Sequence, residues 1–138
     1  MKISIEATIN AENNKVWDYY TKPEHIIHWN FASDDWCCPM AENNMVVGGK
    51  YFARMEARDK SFGFDFITIY KEIRDKEYFL YTMEDGRDVS VSFAGIDNIT
   101  NIKIVFDAEK NNSEDLQKNG WQAILNNFKK YVENSNNK

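Results

Sequence analysis

The segment from residue 50 to residue 109 is a series of strand-like runs separated only by short polar turns. Asp85-Gly86 is a strong hairpin signal within it, and no helical periodicity interrupts the runs. Consecutive strands joined by tight turns pair as an antiparallel sheet, which must cover its apolar face with another layer. The predicted strands are 50–58, 61–73, 77–84, 87–94 and 96–109.

The segment after these strands has the periodicity of one long amphipathic helix. Ser113, with Glu114 and Asp115 directly after it, is typical of a capped helix start. Apolar side chains then recur at i, i+3, i+4, i+7 and i+11 and form one stripe, which consists of Trp121, Ile124, Leu125, Phe128 and Val132. We therefore predict an α+β fold in which a curved antiparallel sheet wraps around this C-terminal helix.

The first 49 residues predict a strand, two short helices and a long loop. Residues 3–9 alternate between apolar and polar side chains, as a half-buried strand does. Asn10 is the predicted N-cap of a short helix through residues 16–20, and Pro23 begins a second one that reaches Trp29. Residues 30–49 have no sustained periodicity, apart from a possible short strand around Trp36. A loop of this length is often functional.

Composition and charge exclude several classes of function. The formal net charge of -5 disfavours nucleic-acid binding, which usually requires a basic face. No apolar run approaches 18 residues, so we expect no membrane span, and the start of the chain lacks a secretory signal pattern. Cys37 and Cys38 are adjacent, which favours free thiols and a cytoplasmic location. We expect one domain over residues 1–138, present as a monomer or as a homodimer formed through a sheet edge.

Several segments resemble a known family. They include VWDYYTKPEHIIHW, ASDDWCCPMAEN, GGKYFARMEA, LYTMEDGRDVSVSF and GWQAILNNFKKYVE. Together they resemble the heat-shock ATPase activator homologue-like (AHSA-like) branch of the START-related, Bet-v-allergen-type SRPBCC superfamily, often described as polyketide-cyclase-like. The resemblance implies a helix-grip fold with a cavity between the sheet and the C-terminal helix. It also implies an apolar or amphipathic ligand in that cavity.

Large apolar side chains are the candidates for lining this cavity, because ligand pockets are mostly apolar with a few polar anchors. For any single one of them we favour a place in a solidly packed core, because large apolar residues are usually just buried, and only the set as a whole suggests a pocket. Cys37 and Asp65 are added as the polar candidates. The full set is Trp29, Trp36, Cys37, Met40, Met55, Phe64, Asp65, Phe66, Tyr81, Phe93, Phe106, Trp121 and Leu125, with Phe128 beside it. The loop 33–47 is the predicted lip that controls access.

The strand 61–73 leaves one ambiguity, because both of its faces are apolar. If Ile67 and Asp65 face inward, Asp65 is a buried carboxylate with a raised pKa and a functional candidate. The alternative is an exposed or salt-bridged Asp65 on the outer face, which we favour because carboxylates are rarely fully buried.

Two other functions are open at this stage. One is regulation of a chaperone ATPase by protein contact, which the resemblance implies and which needs an exposed patch. The other is cyclase or hydrolase chemistry by Asp35, Asp65 or Cys37, although Cys37 needs a base such as His28 beside it. His25, His28 and the Asp34–Cys38 cluster match no metal-binding spacing, so we predict no metal and no cofactor.

Overall fold

The structure, a computed structural model, describes residues 1–135. Seven strands form one sheet, and a long helix follows them. The strands are β1 (Lys2–Ile9), β2 (Trp36–Asn43), β3 (Lys50–Ala57), β4 (Gly63–Arg74), β5 (Tyr78–Met83), β6 (Asp88–Ile96) and β7 (Ile99–Asp107). The helices are α1 (Asn13–Thr21), α2 (Pro23–Ile26) and α3 (Glu114–Ser135).

The sheet is antiparallel throughout, in the order β1-β7-β6-β5-β4-β3-β2. It curls into a half-barrel around α3, so the α+β helix-grip prediction is confirmed. Apolar side chains on the concave face pair directly across strands, as Val91 does with Ile104 and Ile104 with Ile5. All three are at most 3% exposed. These cross-strand pairs form the floor on which α3 lies.

Polar contacts, in addition to the apolar stripe, fix the position of α3 on the sheet. Asn127 donates a hydrogen bond to the carbonyl of Trp29 at 2.9 Å, which ties the helix to the chain after α2. The buried Gln117 accepts one from the Glu109 N–H at 2.8 Å and donates one to the Asn112 carbonyl at 2.9 Å. These contacts tie the first turn and the interior of the helix to the loops that flank the sheet.

The predicted start of the first helix is wrong. Asn10 is not its cap: Glu12 holds the N-cap position, and the Asn10 N–H donates to Glu133 of α3 at 2.8 Å. The Ala11 N–H bonds to the Ile9 carbonyl at 2.9 Å, so the chain turns before it becomes helical. The second helix is also shorter than predicted and ends at Ile26.

The prediction of a lip loop over residues 33–47 is also wrong. Most of that segment is β2, an eight-residue edge strand that pairs with β3. A register shift between Cys37 and Met40, where Pro39 cannot donate a hydrogen bond, removes the two-residue alternation that would have marked a strand. The break between the last two predicted strands was placed too early, at residue 95: the chain turns at Asp97-Asn98, where Asp97 has a φ of 56° and β6 leads into β7.

Candidate functional site

A cavity of about 350 Å³ lies between the concave face of the sheet and the first half of α3. This volume is within the range of small-molecule sites, at its lower end. The sheet contributes residues of β3, β4, β5 and β7, and α3 contributes one face from Leu116 to Leu125. Tyr20 of α1 and the segment Trp29-Asn30 close one end.

Seven of the thirteen candidate residues line this cavity. Phe64 and Phe66 do so from β4, which resolves the ambiguity of that strand: its Phe face is the concave one. Phe66 packs edge-on against Trp121 of α3, with ring centroids 6.4 Å apart. The seven are Trp29, Met55, Phe64, Phe66, Tyr81, Trp121 and Leu125.

Phe93 and Phe106, two of the remaining six candidates, belong to the core behind the cavity. Phe106 is stacked under Trp121, with centroids 4.1 Å apart and planes at 12°, so Trp121 separates it from the cavity. Phe93 packs against Trp17 and Tyr20 at centroid distances of 4.9 and 5.6 Å. Both rings are buried and pack against residues of the lining, Phe106 against Trp121 and Phe93 against Tyr20.

The other four candidates lie on or near the sheet edge, outside the lining. Trp36, Cys37 and Met40 belong to the edge strand β2, where Met40 is 55% exposed. Asp65 is exposed on the convex face and pairs with Arg54 at 3.1 Å, which is the exposed alternative described above. A carboxylate in this position is solvated and paired, so it has no role inside the cavity.

The cavity has a closed end and a mouth. At the closed end, Trp29, Tyr51 and Tyr81 are 2–6% exposed. At the other end, Phe64 and Leu116 also line the cavity but are 45% and 60% exposed, so they border solvent. Gly120 lies on the α3 wall, and no atom lies within 4 Å of a Cβ built on it. The missing side chain therefore leaves open space along the helix.

Sequence reasoning did not place the polar lining residues other than Tyr81 in the cavity. It offered Gln117 only as one of three possible polar anchors on the helix, with Gln122 and Asn126. The polar lining residues besides Tyr81 are Tyr20, Asn30 and Tyr51 at the closed end, with Arg87, Glu109, Asn112 and Gln117 nearer the mouth. No motif marks them, because they come from six separate segments that only the fold brings together. The alternation of β3 was the one usable signal, since it places Tyr51 on the same face as Met55.

Charge in the lining is confined to Arg87 and Glu109. The Arg87 guanidinium donates to Asp85 at 2.7 Å and lies 3.9 Å from Glu109, so its charge is compensated at the mouth. At the closed end, burial raises the pKa of Tyr20, Tyr51 and Tyr81 above the ordinary value for tyrosine. These phenols therefore remain neutral at physiological pH.

Cys38 and the two histidines, which were among the reactive side chains considered above, are each engaged by other parts of the fold. Burial raises the pKa of the Cys38 thiol to about 11, and its Sγ contacts the Met40 carbonyl at 3.5 Å. His28 stacks on Tyr131, and Nδ1 of His25 lies 2.7 Å from the Tyr131 hydroxyl, so both imidazoles are engaged by α3. Burial also lowers the pKa of His25. Within residues 1–135, no three His, Cys, Asp or Glu side chains come together as metal ligands would.

Comparison with known proteins assigns the chain to a family. Residues 10–133 match the family described as activator of Hsp90 ATPase homolog 1-like protein (AHSA1). The chain belongs to this family. The AHSA1-like protein from Aeromonas hydrophila is 41% identical, with a TM-score of 0.92 over 99% of this chain and 94% of that one.

Other solved structures extend the likeness. A protein from Cytophaga hutchinsonii is 42% identical, with a TM-score of 0.83 over 97% of this chain and 93% of that one. A Nitrosomonas europaea protein has the same TM-score at only 12% identity, over 100% and 97% of the two chains, and shares the fold alone. No curated protein matches the chain. Among the described helices, none is long and apolar enough to cross a membrane.

Proposed function

We propose that this protein binds a small apolar or amphipathic molecule in the cavity under α3. The observation that carries the proposal is the lined volume itself: about 350 Å³ walled by aromatic rings, thioethers and a helix face, with exposed apolar side chains at its mouth. A cavity of this kind supplies affinity through buried apolar area, at about 25 cal/mol per Å² before the costs of association. Free thiols at Cys37 and Cys38 suit a reducing cytoplasm as the place where it acts.

Native mass spectrometry of the protein purified gently from its own cells tests the proposal. We expect a retained adduct with a mass of a few hundred daltons, the size of a drug-like ligand that such a pocket encloses. An adduct-free protein that also binds no apolar probe would contradict the proposal.

Gly120→Leu is the matched variant for that experiment. It adds an apolar side chain to the cavity wall where a Cβ meets no atom, so we expect the fold to survive and the adduct to disappear. Asn119→Leu is its control, because it adds the same side chain to an exposed position of the same helix. We expect Asn119→Leu to retain the adduct at the level of the unmodified protein.

A second candidate is regulation of a chaperone ATPase, which the family description names. The supporting observation is an apolar patch at the β3–β4 turn, where the Trp36 ring lies 5.9 Å from Phe62 and 6.1 Å from Phe64. Phe62 is 63% exposed, and exposed patches of this kind mark protein contacts.

The two candidates share Phe64, but Phe62 belongs only to the patch and Gly120 only to the cavity, so one assay separates them. If the patch acts on an Hsp90-type chaperone, ATP turnover by that chaperone rises when the protein is added. Phe62→Ser then abolishes the rise, and Gly120→Leu preserves it. Unchanged ATP turnover with the unmodified protein would remove this candidate and leave the cavity as the functional site.

A further inference from the structure

The closed end of the cavity gathers four neutral polar side chains from four different segments. Tyr20 comes from α1, Asn30 from the chain after α2, Tyr51 from β3 and Tyr81 from β5. The rings of Tyr51 and Tyr81 are 5.6 Å apart, and Asn30 Nδ2 lies 3.4 Å from the Tyr51 hydroxyl. Polar groups so concentrated at the bottom of an apolar cavity are typical of a site that orients a ligand.

The protein uses the Asn30 side chain, which contacts Cys38 as well as Tyr51, but leaves most of the tyrosine hydroxyl capacity of this cluster unused. Within residues 1–135, the hydroxyls of Tyr20 and Tyr81 form no hydrogen bond with another side chain or with the backbone. The Asn30–Tyr51 contact at 3.4 Å is long for a hydrogen bond. Tyr81 is only 5% exposed as a residue. Among the described residues, the enclosed side-chain atoms without a partner do not include the hydroxyls of Tyr20 and Tyr81, so both hydroxyls border open space. These hydroxyls can instead bond to a molecule in the cavity.

Tyr70 provides an internal comparison. It is a buried tyrosine of the concave face, like Tyr51 and Tyr81, and lies directly opposite Tyr81 across the β4–β5 pair. Its hydroxyl donates to Asn43 at 2.7 Å, and Asn43 in turn donates to the Thr21 carbonyl at 2.7 Å. Tyr70 does not line the cavity. A tyrosine that serves the fold is thus bonded to protein, whereas Tyr20 and Tyr81, which line the cavity, are not.

Charge distribution limits what the cluster accepts. The two charged lining residues, Arg87 and Glu109, lie nearer the mouth, and Arg87 is already paired with Asp85 at 2.7 Å. An anionic group at the closed end would lose its hydration among neutral phenols with no cation to pair with, which is strongly unfavourable. A carbonyl, hydroxyl or ether oxygen loses far less and gains hydrogen bonds.

We propose that Tyr20, Asn30, Tyr51 and Tyr81 form a hydrogen-bonding subsite for an uncharged oxygen group of the ligand, so that the protein selects neutral over anionic ligands. This inference rests on the proposed binding function. It adds the chemical class and the orientation of the ligand: the oxygen is buried at the closed end, and the apolar body extends under Trp121 toward the mouth.

A pair of probes of nearly the same shape tests the selection. 2-Acetonaphthone and 2-naphthoate share their ring system and carbonyl group. The ketone carries a methyl group where the carboxylate carries its second, charged oxygen. We expect amide chemical-shift titrations at pH 7.5 to give a dissociation constant at least tenfold lower for the ketone, with shifts at the cavity residues. Equal affinities, or tighter binding of naphthoate, would overturn the subsite while leaving cavity binding intact. If neither probe binds, the proposed binding function fails, and the subsite fails with it.

Removal of single hydroxyl groups tests which residues are responsible. Tyr51→Phe and Tyr81→Phe should each weaken ketone binding about fivefold, the usual effect of losing one hydrogen bond, and leave naphthoate binding unchanged. Tyr70→Phe is the control, because it removes a hydroxyl from the same face outside the cavity. It should leave the affinity ratio of the two probes unchanged. A ratio that all three variants leave intact would refute the assignment.

Discussion

Gly120 is unfavourable for the stability of α3 but leaves open space in the cavity wall. Glycine in the middle of a helix lowers stability by about 0.5–1 kcal/mol relative to alanine, because the unfolded chain has more freedom to lose. Gly120 lies in α3, lines the cavity, and has open space where a Cβ would be. The space it leaves is consistent with a wall kept open for a ligand at some cost to the helix.

We expect Gly120→Ala to raise the free energy of unfolding by about 0.5–1 kcal/mol. Urea denaturation followed by circular dichroism measures this change. Gly95→Ala is an opposite control, because a Cβ there would approach the Asn13 side chain to 2.6 Å. It should destabilise. A loss of stability in Gly120→Ala would show that the wall is closed at that position.

The adjacent cysteines should differ in reactivity. Cys38 is 2% exposed with a pKa of about 11, so at pH 8 about one molecule in a thousand carries the reactive thiolate. Cys37 is partly exposed. We expect iodoacetamide at pH 8 to modify one thiol of the native protein quickly and both in denaturant. Cys37→Ser should remove the fast reaction and Cys38→Ser should preserve it; equal native rates for both thiols would contradict the burial of Cys38.

At the scale of elements, α3 divides into two functional halves that its sequence pattern does not distinguish. Trp121 and Leu125 line the cavity, whereas Phe128 and Val132, at 0% exposure, fill the core. The apolar stripe predicted the helix and its buried face. The division depends on how far α1 and α2 reach toward α3, as Tyr20 and Trp29 do against Phe128 at centroid distances of 5.0 and 4.9 Å. Packing across elements is not encoded in local periodicity.

The half of α3 that contains Phe128 and Val132 should therefore contribute more to the free energy of unfolding than the half that lines the cavity. We expect Phe128→Ala to lower the free energy of unfolding by about 3 kcal/mol or more, because it leaves a void between the helices and the sheet. Leu116→Ala, at the 60% exposed mouth position, should cost about 0.5 kcal/mol. Urea denaturation of both variants gives the comparison. Similar losses in the two would show that the two halves of α3 are not distinct.

The strand β2 shows why an eight-residue element was anticipated only as a possible short strand around Trp36. Strand recognition relies on two-residue alternation, and the register shift between Cys37 and Met40 moves side chains out of phase. The prediction of β4 was incomplete: its length was predicted, but apolar residues on both faces hid its orientation. Two tertiary contacts determine which face of β4 is concave: the Arg54–Asp65 pair lies on the convex face, and Phe66 packs on Trp121 from the concave face.

At the scale of the whole molecule, the fold could be predicted from the sequence, because consecutive hairpins followed by one amphipathic helix can pack in only a few ways. The site was readable only for its apolar part. Large apolar residues on the concave face are all plausible lining residues, and neighbours such as Trp121 decide that Phe106 lies behind the wall. The contact between Tyr51 and Asn30 could not be anticipated, because it results from packing between β3 and the chain after α2.

A cavity that binds its ligand only in the folded state links occupancy to global stability. A ligand at about 100 times its dissociation constant adds about 2.7 kcal/mol to the free energy of unfolding, and further increases in concentration add to it logarithmically. We expect 2-acetonaphthone to raise the urea midpoint in this way for the unmodified protein and for Phe62→Ser, because Phe62 does not line the cavity. Gly120→Leu should show no shift, because its new side chain occupies the binding space. A shift that persists in Gly120→Leu but vanishes in Phe62→Ser would place the bound probe on the exposed patch at the β3–β4 turn, and the cavity would then be a packing feature of the fold.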